Sequence, residues 1–197
     1  MISSNILRGK SVRLAALSKD DLSTFSRWYE DAGFSRLLDA VPAAPKSVEQ
    51  WEKWLEETEE DKDSFIFSIR LTQGDVLIGY LELDGILWNH RNCWIGIGLG
   101  DRKNWGKGYG REAMELVLKF AFHELNLHRV QLSVFDYNQR AMNLYEELGF
   151  TKEGVFREHL ERDGQRFDMH LYGLLRNEWE NQRSSDGGQE TTAQGQD

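Results

Sequence analysis

The stretch Gly96-Ile97-Gly98-Leu99-Gly100-Asp101-Arg102-Lys103-Asn104-Trp105-Gly106-Lys107-Gly108-Tyr109-Gly110-Arg111 decides the fold. Ile95, Ile97 and Leu99 alternate with Gly96, Gly98 and Gly100, which reads as a strand with one apolar face and one almost bare face. A bare face lets another group approach the backbone. A short basic loop follows, and a Gly-x-Gly-x-Gly run then opens into a helical pattern in which Ala113, Leu116, Val117, Phe120 and Ala121 share one side. Glycine permits the positive φ of a tight turn, and the first amides of a helix have no internal partner, so such a turn is an anion site strengthened by the helix dipole. Residues 101–111 set Arg102, Lys103, Lys107 and Arg111 against Asp101 alone, within a chain whose formal net charge is −9.

Two common phosphate loops fail against these residues. A dinucleotide fingerprint needs a third glycine where Arg111 stands, and a P-loop needs Gly at 101 and Ser or Thr at 108, where the chain has Asp101 and Gly108. A strand-to-helix turn without a ligand would explain the glycines alone. The bare strand and the basic residues together favour a ligand.

Lys103-Asn104-Trp105-Gly106-Lys107-Gly108 resembles the pyrophosphate loop of the GCN5-related N-acetyltransferases (GNAT). That pattern is Gln or Arg, two residues, Gly, one residue, then Gly or Ala, and Lys103 departs from its first position. Trp-Gly-Lys-Gly-Tyr is similar to the branch that holds ribosomal-protein N-terminal acetyltransferases and spermidine acetyltransferases. Residues 138–150, Asn-Gln-Arg-Ala-Met-Asn-Leu-Tyr-Glu-Glu-Leu-Gly-Phe, resemble the family's second signature, and the likeness runs from about Phe65 to Leu175.

The resemblance implies a single α/β (α+β) domain over residues 8–180, with a central mixed, mostly antiparallel sheet splayed between its fourth and fifth strands and flanked by helices. It implies acetyl-CoA as co-substrate, contacted by Leu99, Gly100, Lys103, Trp105, Gly106, Lys107, Gly108, Tyr109, Gly110, Arg111 and Asn138, mostly through main-chain N–H groups. The pantetheine arm would pair with the opened strand, as the bare face of residues 96–100 permits. The acetyl group would pass directly to a primary amine in a ternary complex, either a protein N-terminal α-amine or a small polyamine.

Acetyl transfer from a thioester to an amine needs a base, because an alkyl amine with a pKa of about 10 is protonated at neutral pH. The developing oxyanion needs donors, and the departing thiolate needs a proton. Tyr145 is the acid by its place in the second signature, although it also lies on the apolar stripe of its helix. Asn138 caps that helix and, by the resemblance, touches the cofactor. Many relatives carry a Glu near the start of the glycine-rich strand, but Asn92-Cys93-Trp94-Ile95-Gly96 holds no acid. Glu82 on the preceding strand is the substitute base, resembling an acid of the spermidine branch, and Asp84 is second. The missing acid also motivates an alternative, a CoA-binding sensor or docking module without catalysis. Cys93 reads as a small buried hydrophobe rather than a nucleophile. The five histidines show no ligand spacing, so no metal is expected.

The composition fits this reading. The 197 residues suffice for one domain, and the acidic balance argues against a nucleic-acid partner while suiting a cationic acceptor. Residues 49–63 hold eight acids against Lys53 and Lys62, a solvated helical face or a surface that attracts polyamines or basic peptides. No segment is apolar enough to span a membrane, and the expected location is the cytoplasm.

Along the chain, Val12–Ala16 reads as a strand, Ser18 as a helix start and residues 33–45 as a loop with a short helical turn. Ser47 opens a helix with Gln50 as its capping partner. Phe65–Leu71 and Val76–Leu83 form a hairpin. Val130, Leu132 and Val134 form a strand, and Phe150–His159 and Arg166–Leu175 follow as two more. Residues 181–197 are polar and are expected to form a disordered tail. Oligomeric state is open, a homodimer among the options.

Overall fold

Hydrophobic alternation and helical stripes place seven strands and six α-helices along residues 5–187, the part of the chain that the computed structural model describes. In chain order they are β1 (Val12–Ala15), α1 (Leu22–Tyr29), α2 (Ala32–Leu38), α3 (Val48–Glu60), β2 (Phe65–Leu71), β3 (Leu77–Leu87), β4 (Asn92–Leu99), α4 (Tyr109–Lys119), β5 (Arg129–Phe135), α5 (Gln139–Glu147), β6 (Thr151–Arg162), β7 (Gln165–Leu175) and α6 (Arg176–Gly187). The strands form one sheet in the order β1-β2-β3-β4-β5-β7-β6. Every pair is antiparallel except β4–β5, which α4 connects as a crossover.

The parallel pair is short. β4 and β5 are in register only at Asn92↔Arg129, Cys93↔Val130 and Trp94↔Gln131, after which the two strands part. Beyond Trp94, β4 keeps β3 on one side, through Gly96↔Glu82, Gly98↔Tyr80 and Leu99↔Gly79. The Gly100 amide donates to the Ile78 carbonyl at 3.1 Å. Antiparallel alternation therefore turns the backbone groups of Gly96 and Gly98 toward β3; the Ile95 N–H closes the last pair with β5, and the Ile95 carbonyl and the groups of Ile97 and Leu99 turn toward the gap beyond it.

Two hydrophobic clusters cover the sheet. Ile95 joins α4 (Ala113, Met114, Val117) and β5 (Val130, Leu132) in the larger one, with Ile97 and Leu99 packed at its margin. The smaller one sets Leu22, Phe25 and Trp28 of α1 and Trp51 and Leu55 of α3 against Tyr80. Ser47 caps α3 as its spacing predicts, its hydroxyl accepting from the Gln50 amide at 3.3 Å while Gln50 accepts from the Ser47 amide at 2.9 Å. The helix expected to run from Tyr109 to about Leu125 is α-helical to Lys119 and widens to π-helical spacing over Phe120–Glu124.

Three sequence expectations change. The short helical turn expected within the loop of residues 33–45 is the seven-residue helix α2, because Asp31 caps it by accepting from the Gly33 amide and Phe34 anchors it in the smaller cluster. β3 continues past Leu83 to Leu87. The disordered tail expected from residue 181 gives way to helix through Gly187, because Trp179 is buried against Phe122 and His123 and ties α6 to the core. The remainder of that tail, residues 188–197, lies outside the described residues.

The bare face of β4 is filled by the protein itself. A Cβ built on Gly98 would meet Tyr80 at 3.1 Å and Leu38 at 3.2 Å, and one on Gly100 would lie 2.0 Å from the Trp28 ring. A ligand therefore has the edge of β4 open to it, not this face. Gly100→Ala is expected to lower stability by about 1–3 kcal/mol through overpacking against Trp28, read as a lower urea midpoint at unchanged slope. Gly110→Ala meets only ordinary contacts, at 3.6 and 3.8 Å, and is expected to be neutral or stabilising by up to about 1 kcal/mol.

Candidate active site

The loop between β4 and α4 is built around backbone donors. Gly106 and Gly108 sit at φ +71° and +82°, a region that side chains disfavour, and an added Cβ at either would meet nothing within 4 Å. Left-handed residues alternating with right-handed ones turn successive N–H groups to one side, the arrangement that binds anions. The first α4 bond runs from the Glu112 amide to the Gly108 carbonyl, at 3.0 Å. The amides of Gly106 and of residues 108–111 make no hydrogen bond to other described residues, which leaves a cluster of unpaired donors at a helix N-terminus.

The side-chain charges of this loop are mostly neutralised, contrary to the simple count of basic residues. Arg102 pairs with Asp31 at 3.0 Å, Lys103 lies 3.7 Å from Asp101, and Arg111 reaches Glu147 at 2.6 Å and Glu115 at 3.2 Å. Lys107 is exposed and in no ion pair among the described residues. Trp105 fastens the loop, its indole N–H donating to the Leu99 carbonyl at 2.8 Å. Arg140, which the sequence reading missed, stacks over the Trp105 ring at 4.5 Å and brings the start of α5 beside the loop. Its position in the first turn of the helix of the second signature was the available signal.

Asn138 caps α5 as expected, accepting from the Ala141 amide at 3.3 Å, and its own amide donates to the Leu37 carbonyl at 3.4 Å. Both functional ends of that side chain are thus engaged within the protein. Gly100 serves packing and sheet pairing, and the Leu99 carbonyl already holds Trp105. Tyr145 is buried on α5 beside Phe150 and Tyr172, and burial pushes its phenol up to about 12. It is a neutral, protonated phenol at pH 7.

On the other face of the sheet, Glu82 lies across β4. Its carboxylate oxygen is 3.0 Å from where a Gly96 Cβ would be, so the glycine provides the room that this carboxylate occupies. Burial pushes Glu82 up to about 7, and the charges of Asp84 and Asp39 add to the rise. Glu82 lines a cavity of about 140 Å³ together with Asp39, Tyr29, Tyr80, Trp51 and Trp54. The Tyr29 and Tyr80 hydroxyls are hydrogen-bonded to each other at 2.8 Å, and burial holds both phenols well above their ordinary range. Ser35 and Trp51, also in these walls, each bury a polar atom without a partner among the described residues.

Asp84, two residues further along β3, lies at the surface, where partial desolvation beside the sheet and then the charge of Asp61 raise its carboxyl above the ordinary range. Cys93 is wholly buried, and burial pushes its thiol up to about 12, too high for a nucleophile at neutral pH. No group of three or more His, Cys, Asp or Glu among the described residues is placed to hold a metal ion. No helix there is long and apolar enough to cross a membrane.

The raised Glu82 carboxyl has a consequence for folding. The folded state binds its proton more tightly than the unfolded chain, so stability falls as pH rises from about 4.5 to about 7 and the full cost persists above. Glu82→Gln is expected to raise the melting temperature at pH 8, by up to about 3 kcal/mol in stability, with the gain vanishing below pH 5. Thermal melts of both proteins across pH 5–8 measure it.

Comparison with known proteins agrees with this geometry. The sequence model of the acetyltransferase (GNAT) domain matches residues 11–151. The probable N-acetyltransferase YjcK of Bacillus subtilis is 31% identical over 180 residues, covering 86% of this chain and 97% of that one. The [ribosomal protein uS5]-alanine N-acetyltransferase of Escherichia coli is 31% identical over 87 residues, 44% of either chain. The crystal structure of spermidine N-acetyltransferase from Vibrio cholerae in complex with CoA and spermine superimposes with a TM-score of 0.79 at 27% identity, over 86% of this chain and 98% of that one. With the splayed sheet, the amide-rich loop and these matches together, the chain belongs to the GNAT family of acetyl-CoA-dependent N-acetyltransferases.

Proposed function

We propose that this protein transfers an acetyl group from acetyl-CoA directly to a primary amine, a small polyamine or a protein N-terminal α-amine, with Glu82 as the base and Tyr145 as the acid. The observation that carries the reading is Glu82 itself, a carboxylate in the wall of an acidic and aromatic cavity with a pKa of about 7. A base tuned to the working pH accepts a proton from an ammonium ion and still remains half ionised there. It also supplies the carboxylate that is missing around Trp94, the absence behind the binding-module alternative.

The residues present fit coenzyme A. The amides of residues 106–111, with Lys107 and Arg140 beside them, suit its diphosphate. The outward C=O of Ile95, both backbone groups of Ile97 and the Leu99 N–H form an unpaired strand edge that suits the amides of its extended arm. Acetyl-CoA, when bound, supplies the activated acyl group. Leu99, Gly100 and Lys103 hold the loop, Trp105 clamps it, and Gly106, Lys107, Gly108, Tyr109, Gly110 and Arg111 bind through main-chain nitrogen. Asn138 acts by orienting α5, which carries Tyr145 toward its role as proton donor to the leaving thiolate. The relatives that acetylate a ribosomal-protein alanine or spermidine support both acceptor classes.

Steady-state release of CoA with a panel of amines tests the proposal. The acid limb of kcat/KM is expected to fall below an apparent pKa of about 7, and Glu82→Gln is expected to abolish that limb while lowering kcat about 10²–10⁴-fold. Tyr145→Phe is expected to lower kcat about 10²-fold or more with the KM for acetyl-CoA unchanged.

A further inference from the structure

Lys46 belongs to none of the roles above, yet it lines the same cavity as Glu82. Its ammonium Nζ sits over the Trp51 ring, 4.6 Å from the centroid. Trp51 is 2% exposed and braced by Tyr29 at 4.5 Å, Trp54 at 5.3 Å and Phe25 at 5.7 Å between centroids, so the ring that receives the cation is fixed in place. Such a ring face, at the edge of a cavity that also holds two carboxylates, is a site for an alkylammonium ion. The protein fills it with a cation of its own, carried on an exposed, flexible side chain at the loop just before α3.

We propose that Lys46 is a specificity-determining residue of the acceptor pocket. Its ammonium occupies, on Trp51, the subsite for a second cationic nitrogen of the acceptor, and a productive acceptor displaces it. The acceptor class is then an alkyl diamine or polyamine, with one nitrogen at Glu82 and another on Trp51. This rests on the proposed amine-acetylating role of the Glu82 cavity.

The surroundings favour this class. Asp39 shares the cavity, and α3, which presents Trp51 and Trp54, carries Glu49 and Glu52 in addition to Glu56 and Glu57, which pair with Lys19 and Lys53. A dication gains from that field twice over, whereas a monoamine gains nothing at Trp51 and has no means of competing with Lys46. Removing Lys46 frees the ring face for the second nitrogen.

Calorimetric titration of 1,4-diaminobutane and of butylamine into the full-length protein saturated with CoA tests this, using the wild type, Lys46→Met and Lys46→Arg. The expected result is that Lys46→Met tightens diaminobutane about tenfold, the scale of a cation–π contact shielded from bulk water, and leaves butylamine within about twofold. Lys46→Arg, which keeps a cation for the ring, is expected to bind the diamine like the wild type. The proposal is overturned if Lys46→Met weakens or leaves unchanged the diamine affinity, tightens both amines equally, or shows no diamine binding. Binding as expected without CoA release from acetyl-CoA would instead overturn the catalytic role of the cavity and leave the subsite standing.

Discussion

A strand that loses its neighbour partway along must find other partners for its backbone groups, and this constraint shapes the site. β4 is paired on both sides for three residues and on one side thereafter. The outward groups that follow, from the Ile95 carbonyl through Ile97 to Leu99, are strong donors and acceptors that water, another chain or an amide-bearing ligand must satisfy. One of them, the Leu99 carbonyl, is satisfied within the protein by Trp105, which also sets where the anion loop begins. In the proposed binding mode the same edge sets both the direction of the extended arm and the point at which the phosphates arrive.

Around that edge the protein uses backbone rather than side-chain charge. Ion pairs tie three of the four basic side chains of the loop to Asp31, Asp101, Glu115 and Glu147, which holds the loop in shape without adding much field. Exposed pairs of this kind contribute little stability. Donors fixed by backbone geometry need no reordering when an anion binds. The glycines divide the work: Gly106 and Gly108 supply left-handed turns, whereas Gly96, Gly98 and Gly100 make room for Glu82, Tyr80 and Trp28.

The acceptor cavity is coupled to the far half of the sheet. The last carbonyls of α2 have no partners within the helix, and they are met by Tyr137 at Arg36 and by Asn138 at Leu37. Arg162, from the end of β6, donates to the carbonyls of Asp39 and Val41 at 2.9 and 3.1 Å. These bonds bridge the two sides of the splay and hold Asp39 in the cavity wall near Glu82. The position of an acid that raises the pKa of Glu82 is therefore set by residues more than a hundred positions away in sequence.

Local patterns carried the elements well, because periodicity, caps and turns depend on neighbours within a few residues. The Ser47–Gln50 capping box, the alternation in β4, the glycine turn into α4, the β6–β7 hairpin and the Asn138 cap were all legible in this way. The parting of β4 and β5 came from family resemblance and not from any property of Ile95 or Leu99. The pairing of Arg111 with Glu147, the covering of the β4 glycines and the burial of Glu82 were beyond reach, since each depends on groups distant in the chain. By itself the sequence determined most of the strands and helices and the glycine turn into α4, because glycine conformation and helix termini are local. Only the tertiary structure decided which charges remain free, which face of β4 is closed and that Glu82 is poised near neutral pH, because desolvation and ion pairing are set by what packs alongside a group.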